Sequence, residues 1–179
     1  MAIYRFEDRV PQIGEGTYIH PSAEVIGRVI VGKRCWIGPG AKIRGDYGEI
    51  VIGDETSVED NCVVHARPGE RCLIGSHVTI GHGSVIHNAT IEDYAVIGMG
   101  AVVSDWALVG EWAVVGEGAV VKNSQKIPAE HIAVGVPAKV LDRQVSAEYK
   151  QQWTEFKATY ADFARRYPRG LARLDPEGL

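Results

Sequence analysis

Four of the six histidines in this chain lie in one short stretch, between Val58 and Asn88. They are His65, His77, His82 and His87. Imidazole is the commonest protein ligand for metals, and three neutral imidazoles around one zinc ion leave a fourth position open for water, as in catalytic zinc sites. The stretch therefore indicates metal chemistry, and the elements that carry these histidines determine which of them can meet.

A repeat of six residues runs through most of the sequence and indicates where the histidines point. β-branched anchors recur at this interval, with one slip of three residues, one four-residue loop and one missing residue. The anchors are Ile19, Val25, Val31, Ile37, Ile43, Ile52, Val58, Val64, Ile74, Ile80, Ile86, Ile91, Ile97, Val103, Val109, Val115, Val121 and Ile127. Glycine usually follows an anchor, and the fourth residue after it is small or β-branched.

So regular a short period is typical of a parallel β-helix built from hexapeptides, with three strands in each coil. An amphipathic α-helix is excluded because a period of six does not follow 3.6 residues per turn. An ordinary sandwich of valine-rich strands is the alternative, but it would not keep this register over so many steps. We therefore predict an all-β parallel β-helix.

Three hexapeptides make one coil, so the anchors can be assigned to three faces. On one face the residues that follow the anchors form a polar column of Arg44, His65, His87, Ser104 and Lys122. Vertical neighbours in such a column are roughly 4.8 Å apart, so His65 and His87 are close enough to share one metal ion. His82 belongs to the neighbouring face, as does Glu59, and it cannot reach the same ion from its own chain.

A third ligand from His82 therefore requires a second copy of the chain. A three-sided prism that packs around a three-fold axis presents the histidine pair of one face to His82 of the next subunit. This arrangement predicts a homotrimer with three metal sites, each at a subunit interface. The alternative is that these histidines lie in exposed turns and bind nothing.

The segment from Arg44 to His87 resembles the γ-class carbonic anhydrases and their bacterial relatives, which include carnitine-operon, phenylacetate-operon and ferripyochelin-binding-like proteins. The motifs that carry the resemblance are IRGDYGEIVIG (Ile43 to Gly53), VVHA (Val63 to Ala66) and GHGSVIH (Gly81 to His87). The resemblance extends over nearly the whole chain. It implies that the β-helix is left-handed and carries a C-terminal α-helix packed along it.

The same resemblance implies a ligand set and an activity. His65 and His87 of one subunit and His82 of its neighbour would bind Zn2+, or Fe2+ or Co2+ as in some members, while Arg44 and Asp46 would bridge the interface beside the metal. Zinc lowers the pKa of its bound water, as carbonic anhydrase itself illustrates, so that hydroxide can attack carbon dioxide. The implied function is reversible hydration of carbon dioxide, a small-molecule substrate, to bicarbonate.

Two departures from the family pattern concern the chemistry. The family often has asparagine and glutamine where this chain has Ser57, expected near the substrate or the interface, and Glu59, which could position the hydroxide or relay its proton. The acidic loop that supplies a proton shuttle is reduced to ARPGERCL, with Glu70 its one acid, and Tyr47 occupies another acidic position. The chain thus resembles the loop-less subgroup, whose members vary in activity.

Two other functions remain open on the same fold. An acyl-CoA-dependent acyltransferase or thioesterase would use one histidine as a base and no metal. A non-catalytic trimer would keep the zinc only to hold its interface together. The segment VGVPAK, from Val134 to Lys139, resembles the exit motif of many hexapeptide proteins, including acyltransferases, so it identifies the fold and not the activity.

The C-terminal part of the chain changes period. From Val145 the apolar residues are mostly aromatic and recur at intervals of three and four, which predicts a helix that begins at Ser146 and is stopped by Pro168 and Gly170. In the family a tyrosine of this helix reaches toward the active site, and Tyr160 is the expected position. We assign residues 1–140 to the β-helix and 141–179 to the helix and tail of the same domain.

The composition restricts the possible binding partners of the protein and its expected cellular compartment. A net charge of −4 gives no electrostatic basis for binding nucleic acid. The charged N-terminus does not resemble a signal peptide, and no apolar run reaches the length of a membrane span. Cys35, Cys62 and Cys72 are odd in number and are expected to be small buried residues in a reducing cytoplasm. The segment from Met1 to Gly16 is expected to cover the open edge of the first coil.

Overall fold

The computed structural model describes residues 2–174, which form a left-handed parallel β-helix of about seven turns with one α-helix packed along it. The predicted fold class is confirmed. In chain order the strands are β1 (Ala2–Tyr4), β2 (Gln12–Ile13), β3 (Tyr18–Ile19), β4 (Glu24–Val31), β5 (Trp36–Ile37), β6 (Lys42–Ile52), β7 (Ser57–Val58), β8 (Val63–His65), β9 (Arg71–Ile74), β10 (Thr79–Ile80), β11 (Val85–His87), β12 (Thr90–Ile91), β13 (Val96–Ile97), β14 (Val102–Val103), β15 (Leu108–Val109), β16 (Val114–Val115), β17 (Val120–Val121), β18 (Lys126–Ile127), β19 (His131–Val134) and β20 (Lys139–Gln144), and the helix is α1 (Ala147–Gly170).

The strands stack into three faces. The histidine face consists of the first half of β6 followed by β8, β11, β14 and β17, and the helix face consists of β3, β5, β7, β10, β13, β16 and β19. The third face consists of the second half of β6 followed by β9, β12, β15 and β18. The long strands β4 and β6 turn the corner between the histidine face and the third face, so these two faces form one sheet.

The core is a stack of the β-branched anchors. Every anchor is buried, and the most exposed of them, Ile19, retains 5 % of its surface. Burial of one such side chain contributes about 1.5–3 kcal/mol. Small side chains lie where the chain turns, and Cys35 and Cys62 occupy two of these positions; like Cys72 they are free, and burial raises the pKa of all three thiols.

The corners of the prism differ in what they carry. Along one corner His77, Tyr94 and Trp112 all adopt left-handed backbone, and their rings stack with centroids 4.6 and 4.7 Å apart. Another corner has glycine at successive levels, as at Gly83 and Gly100, where a Cβ atom would meet open space. The first corner is therefore filled by its own side chains, whereas the second leaves backbone accessible.

Both ends of the β-helix are covered. β1 and β2 pair with β4 in parallel, so the N-terminal segment covers the first coil as expected for its described residues, while Met1 lies outside them. At the other end β20 runs antiparallel to β19 and closes the helix face. The division at residue 140 stays a prediction, and residues 175–179 of the proposed tail lie outside the described part of the chain.

Helix α1 begins where the sequence predicted. The Ser146 side chain accepts a hydrogen bond from the Tyr149 backbone N–H, and the aromatic face of the helix packs against Trp36 and Tyr18. The helix ends at Gly170 but runs through Pro168, which was expected to lie at the stop. A proline in the last turn costs only one backbone hydrogen bond, so it does not end the helix at once. No helix in residues 2–174 is long and apolar enough to cross a membrane.

Candidate metal site

The histidine face brings His65 and His87 together. The two residues end β8 and β11 and are paired in register, and Arg44 pairs with His65 one level further along the face. The ring centroids of His65 and His87 are 5.1 Å apart. Arg44, His65 and His87 of the polar column read from the sequence are therefore stacked in that order, with the two histidines as vertical neighbours.

Each of these histidines has a carboxylate on one ring nitrogen. Asp46 Oδ1 lies 3.1 Å from His65 Nε2, and Asp105 Oδ1 contacts His87 Nδ1. Burial raises the carboxyl pKa of both aspartates, but the hydrogen bonds from the histidines and from Arg44 and Arg67 outweigh it, so both pKa values lie below the usual range. An ionised carboxylate only accepts hydrogen bonds, so we assign the protons to His65 Nε2 and His87 Nδ1.

This assignment leaves two lone pairs that face each other. His65 Nδ1 and His87 Nε2 are 3.1 Å apart, and neither ring, if neutral, has a proton to place between them. Burial lowers the pKa of the His65 imidazole, which favours the neutral ring. Two nitrogen ligands of one tetrahedral zinc ion are separated by roughly 3.3 Å. The pair thus fits a divalent cation, with its outer nitrogens held by carboxylates as in known zinc sites.

His82 lies on the other side of the corner. Its Nδ1 is 2.6 Å from Asp60 Oδ2, its Nε2 is 2.9 Å from Glu59 Oε2, and its side chain is 45 % exposed. Within residues 2–174 of one chain, no three histidine, cysteine or acidic side chains converge as a metal site would require. One chain therefore offers a pair of histidines on one face and a single exposed histidine on another.

Glu59 and Tyr160 meet between the β-helix and α1. Glu59 is buried, and the Tyr160 phenol is near enough to influence the pKa of its carboxyl group. Burial raises the pKa of Glu59, and the Tyr160 phenol and the charge of His82 oppose part of the rise. Lys157 is also buried here, and its Nζ donates to Thr79 Oγ1 at 3.1 Å.

The remaining candidates lie around these groups. Arg44 pairs with Asp46, so it supports His65 through that carboxylate. The Tyr47 ring packs edge-on against His65, with centroids 5.3 Å apart. Ser57 is buried in β7, in register with Thr79. Ser57 thus lies on the helix face, and it precedes Glu59 by two residues in the chain.

Sequence reasoning missed four charged residues that the structure places here: Asp60, Arg67, Asp105 and Lys157. Asp105 comes directly after Ser104 of the polar column in the sequence, and this position indicated that its carboxylate could lie near the histidines. Asp60 is adjacent to Glu59 in the chain. Lys157 interrupts the aromatic face of α1 between Phe156 and Tyr160, and a charged residue inside a buried stripe was the signal for it.

A groove runs between α1 and the helix face. It encloses about 350 Å3, and its walls are largely apolar. Its lining includes Val96, Met99, Val114, Trp153 and Phe156 along the walls and Glu59, His82 and Tyr160 as polar groups. The groove thus connects apolar surface to the single exposed histidine.

Comparison with known proteins identifies relatives over almost the whole chain. The sequence pattern described as bacterial transferase hexapeptide (six repeats) matches residues 11–45 and 88–123. The carnitine operon protein CaiE of Salmonella newport is 34 % identical over 177 residues, which cover 98 % of this chain and 88 % of CaiE.

Two solved structures have the same architecture. A Bacillus cereus protein provisionally described as an acetyltransferase has a TM-score of 0.90 at 33 % identity, covering 93 % of this chain and 96 % of its own. A hexapeptide transferase family protein from Anaplasma phagocytophilum has a TM-score of 0.88 at 30 % identity, covering 93 % and 98 % of the two chains.

Proposed function

We propose that this protein is a zinc enzyme that reversibly hydrates carbon dioxide. The chain belongs to the hexapeptide-repeat family that includes the carnitine operon protein CaiE. The observation that carries the proposal is the 3.1 Å separation of His65 Nδ1 and His87 Nε2, each on a ring whose other nitrogen is held by an aspartate. Two facing lone pairs repel unless a proton or a metal cation lies between them. A transition metal of the zinc type suits imidazole nitrogens.

The proposal includes a homotrimer, because the third ligand must come from another subunit. His82 differs from the other two histidines: Asp60 lies at its Nδ1 and Glu59 at its Nε2, so Nε2 would bind the metal only in place of its contact with Glu59. The glycine corner beside it, at Gly83 and Gly100, has room for a neighbouring chain to approach its backbone. A trimer would then hold three sites, each with His65 and His87 from one subunit and His82 from the next.

Zinc, when bound, lowers the pKa of a water ligand toward neutrality and so supplies hydroxide, for which carbonic anhydrase is the standard illustration. The residues of this chain would do the rest. Asp46, Asp60 and Asp105 contact the ring nitrogens of His65, His82 and His87 that would not bind the metal. Glu59 lies 2.9 Å from His82 Nε2, so its carboxylate borders the ligand set and can accept a proton from water there.

The Tyr160 phenol lines the groove with Glu59 and lowers the pKa of that carboxyl group. The apolar walls of the groove favour approach of an uncharged substrate. Glu59 is buried, and its raised pKa suits a group that takes up and releases a proton closer to neutral pH than an exposed glutamate. Glu59 and Tyr160 therefore support proton transfer at the site, although this chain lacks the acidic loop of the archetypal γ-class carbonic anhydrases.

The first experiment is to measure metal content and oligomer mass for protein purified without chelator. We expect about one zinc ion per chain in a trimer, loss of zinc in His82→Ala, and carbon dioxide hydration by the wild type in stopped-flow assays. His77→Ala is the matched control, because His77 lies in the same stretch but stacks on Tyr94 at a different corner. A metal-free trimer that His82→Ala leaves unchanged would contradict the proposal.

Acyl transfer is the second candidate, and two observations favour it. The Bacillus cereus structure is similar over nearly its whole length, and the groove beside His82 is large enough for an acyl chain. In that case His82 would act as a base, with Glu59 or Asp60 orienting it, and no metal would be required. Binding of acetyl-CoA by metal-free protein, measured by calorimetry and abolished by His82→Ala, would favour this function over hydration.

A further inference from the structure

We propose that Asp105 is a positioning residue for the metal ligand His87, and that Arg67 and Trp106 hold Asp105 in place. The inference rests on the proposed zinc site and assigns a role to residues outside the ligand set. It follows from a continuous chain of side-chain contacts that begins at His87 and ends in the short loop after His65.

Both oxygens of Asp105 are engaged. Oδ1 accepts from His87 Nδ1, and Oδ2 lies 2.9 Å from Arg67 Nη1, while only 13 % of the Asp105 side chain is exposed. A carboxylate fixed at both oxygens has one orientation. It therefore fixes the plane of the His87 ring and leaves Nε2 unprotonated toward His65.

Arg67 is fixed in turn. Its guanidinium carbon lies 5.0 Å from the centroid of the Trp106 ring, a cation–π distance, and its backbone N–H donates to Asn88 Oδ1 at 3.1 Å. The Trp106 indole donates to Glu70 Oε2 at 2.7 Å, and Asn88 Nδ2 donates to the same oxygen. Glu70, the one acid of the shortened loop, thus ties the loop to Trp106 and Asn88.

The three candidate ligands differ in how firmly they are held. Asp46 has Arg44 as a partner and Asp105 has Arg67, whereas Asp60, which holds His82, has no cationic partner among the described residues and is 33 % exposed. The histidines that meet within one chain are therefore preorganised. The histidine that must reach a second chain is instead contacted by Asp60 and Glu59, one at each ring nitrogen.

The test is zinc affinity, measured on the full-length protein by competition with a chromophoric chelator. Loss of an outer carboxylate typically weakens metal binding by about 10–100-fold, and we expect a loss in this range for Asp105→Asn. The Co2+-substituted variant should also show shifted d–d absorption bands, because the His87 ring is no longer held in one plane. Asp162→Asn is the control, since Asp162 is an ion-paired carboxylate of α1 and lies outside this network.

Arg67→Met provides a second variant that keeps aliphatic contact with Trp106 and removes the charge partner of Asp105. We expect zinc affinity between those of wild type and Asp105→Asn, which also tests the inference if Asp105→Asn does not fold. Wild-type zinc affinity and an unchanged Co2+ spectrum in both variants would overturn the role of Asp105. A wild-type protein that takes up no zinc would instead contradict the metal site itself, so the two failures are distinguishable.

Discussion

At the scale of single residues, Glu59 is the group whose chemistry most needs testing. It replaces the glutamine often found in the family, it is buried, and it touches both His82 and Tyr160. A carboxylate can accept a proton where an amide cannot. The substitution therefore changes the chemistry available beside the proposed metal site and leaves the shape of the side chain almost unchanged.

We predict that Glu59→Gln lowers kcat for carbon dioxide hydration by about 100-fold, the usual contribution of a general base. Zinc content and trimer mass should remain those of the wild type, because Glu59 is not a ligand in the proposed site. Stopped-flow rates across pH give the measurement. An unchanged rate and pH profile would remove Glu59 from the mechanism.

Tyr160→Phe tests the same carboxylate from its other side. The phenol lowers the pKa of Glu59, so its removal should raise that pKa further. If the ionised form of Glu59 is the active one, activity that is lost at low pH in the wild type will be lost at a higher pH in the variant. Phe163→Leu, which alters the same face of α1 without touching Glu59, is the control for packing. If wild type and Tyr160→Phe lose activity at the same low pH, Tyr160 has no role in setting the ionisation of Glu59 during the reaction.

At the scale of the elements, α1 buries Lys157 against the β-helix. Burial lowers the pKa of Lys157 to about 7, although the Glu59 carboxylate opposes the shift. Between pH 7 and the ordinary lysine pKa, the unfolded chain binds a proton that the folded chain does not. The free energy of unfolding should therefore rise with pH in this window, by at most about 1.4 kcal/mol per pH unit from this group.

Lys157→Met should remove that dependence. The free energy of unfolding of the wild type, minus that of Lys157→Met, should increase between pH 7 and pH 9. Guanidinium unfolding of both proteins at one protein concentration measures this difference. Lys139→Met, on the exposed strand β20, is a control that should leave the dependence intact. Parallel stability curves for wild type and Lys157→Met would show that the lysine keeps its proton in the fold.

The coils depend on one anchor per face and level, so each anchor should be hard to replace. Ile97 is fully buried in β13, and we predict that Ile97→Ala destabilises the protein by about 2–5 kcal/mol, against about 0.5–1.5 kcal/mol for Ile97→Val. Val63→Ala, at a side chain that is 38 % exposed, should cost less than either. Thermal unfolding of the three variants gives the comparison, and equal losses at Ile97 and Val63 would contradict the layered core.

At the scale of the whole molecule, the sequence predicted the architecture well because the repeat is enforced by the core. A β-branched anchor in the wrong frame would face solvent, and every anchor read from the sequence is buried. The register of His65 and His87 followed from the same frame. The Asp105–Arg67–Trp106 contacts did not, because they depend on side-chain conformations across several levels that no local pattern encodes.

The position of Lys157 shows a second limit. Its neighbours Thr79 and Ala95 belong to different coils far from it in the chain, so only the packed helix reveals the contact. The helix start was predictable because Ser146 caps its own first turn. The end of the helix was less predictable, because helical backbone can continue through a proline near the last turn.

The repeating register has a consequence for how such a chain can change length. Ile97 and Val115 occupy equivalent positions in adjacent coils, so excision of the stretch from Gly98 to Val115 would join two strands in phase. Excision of part of that stretch would break the pairing of the coils on either side unless a loop at a corner absorbed the offset, as the loop after His65 does. Insertions and deletions in this protein should therefore be tolerated as whole coils or as loops at the corners of the prism.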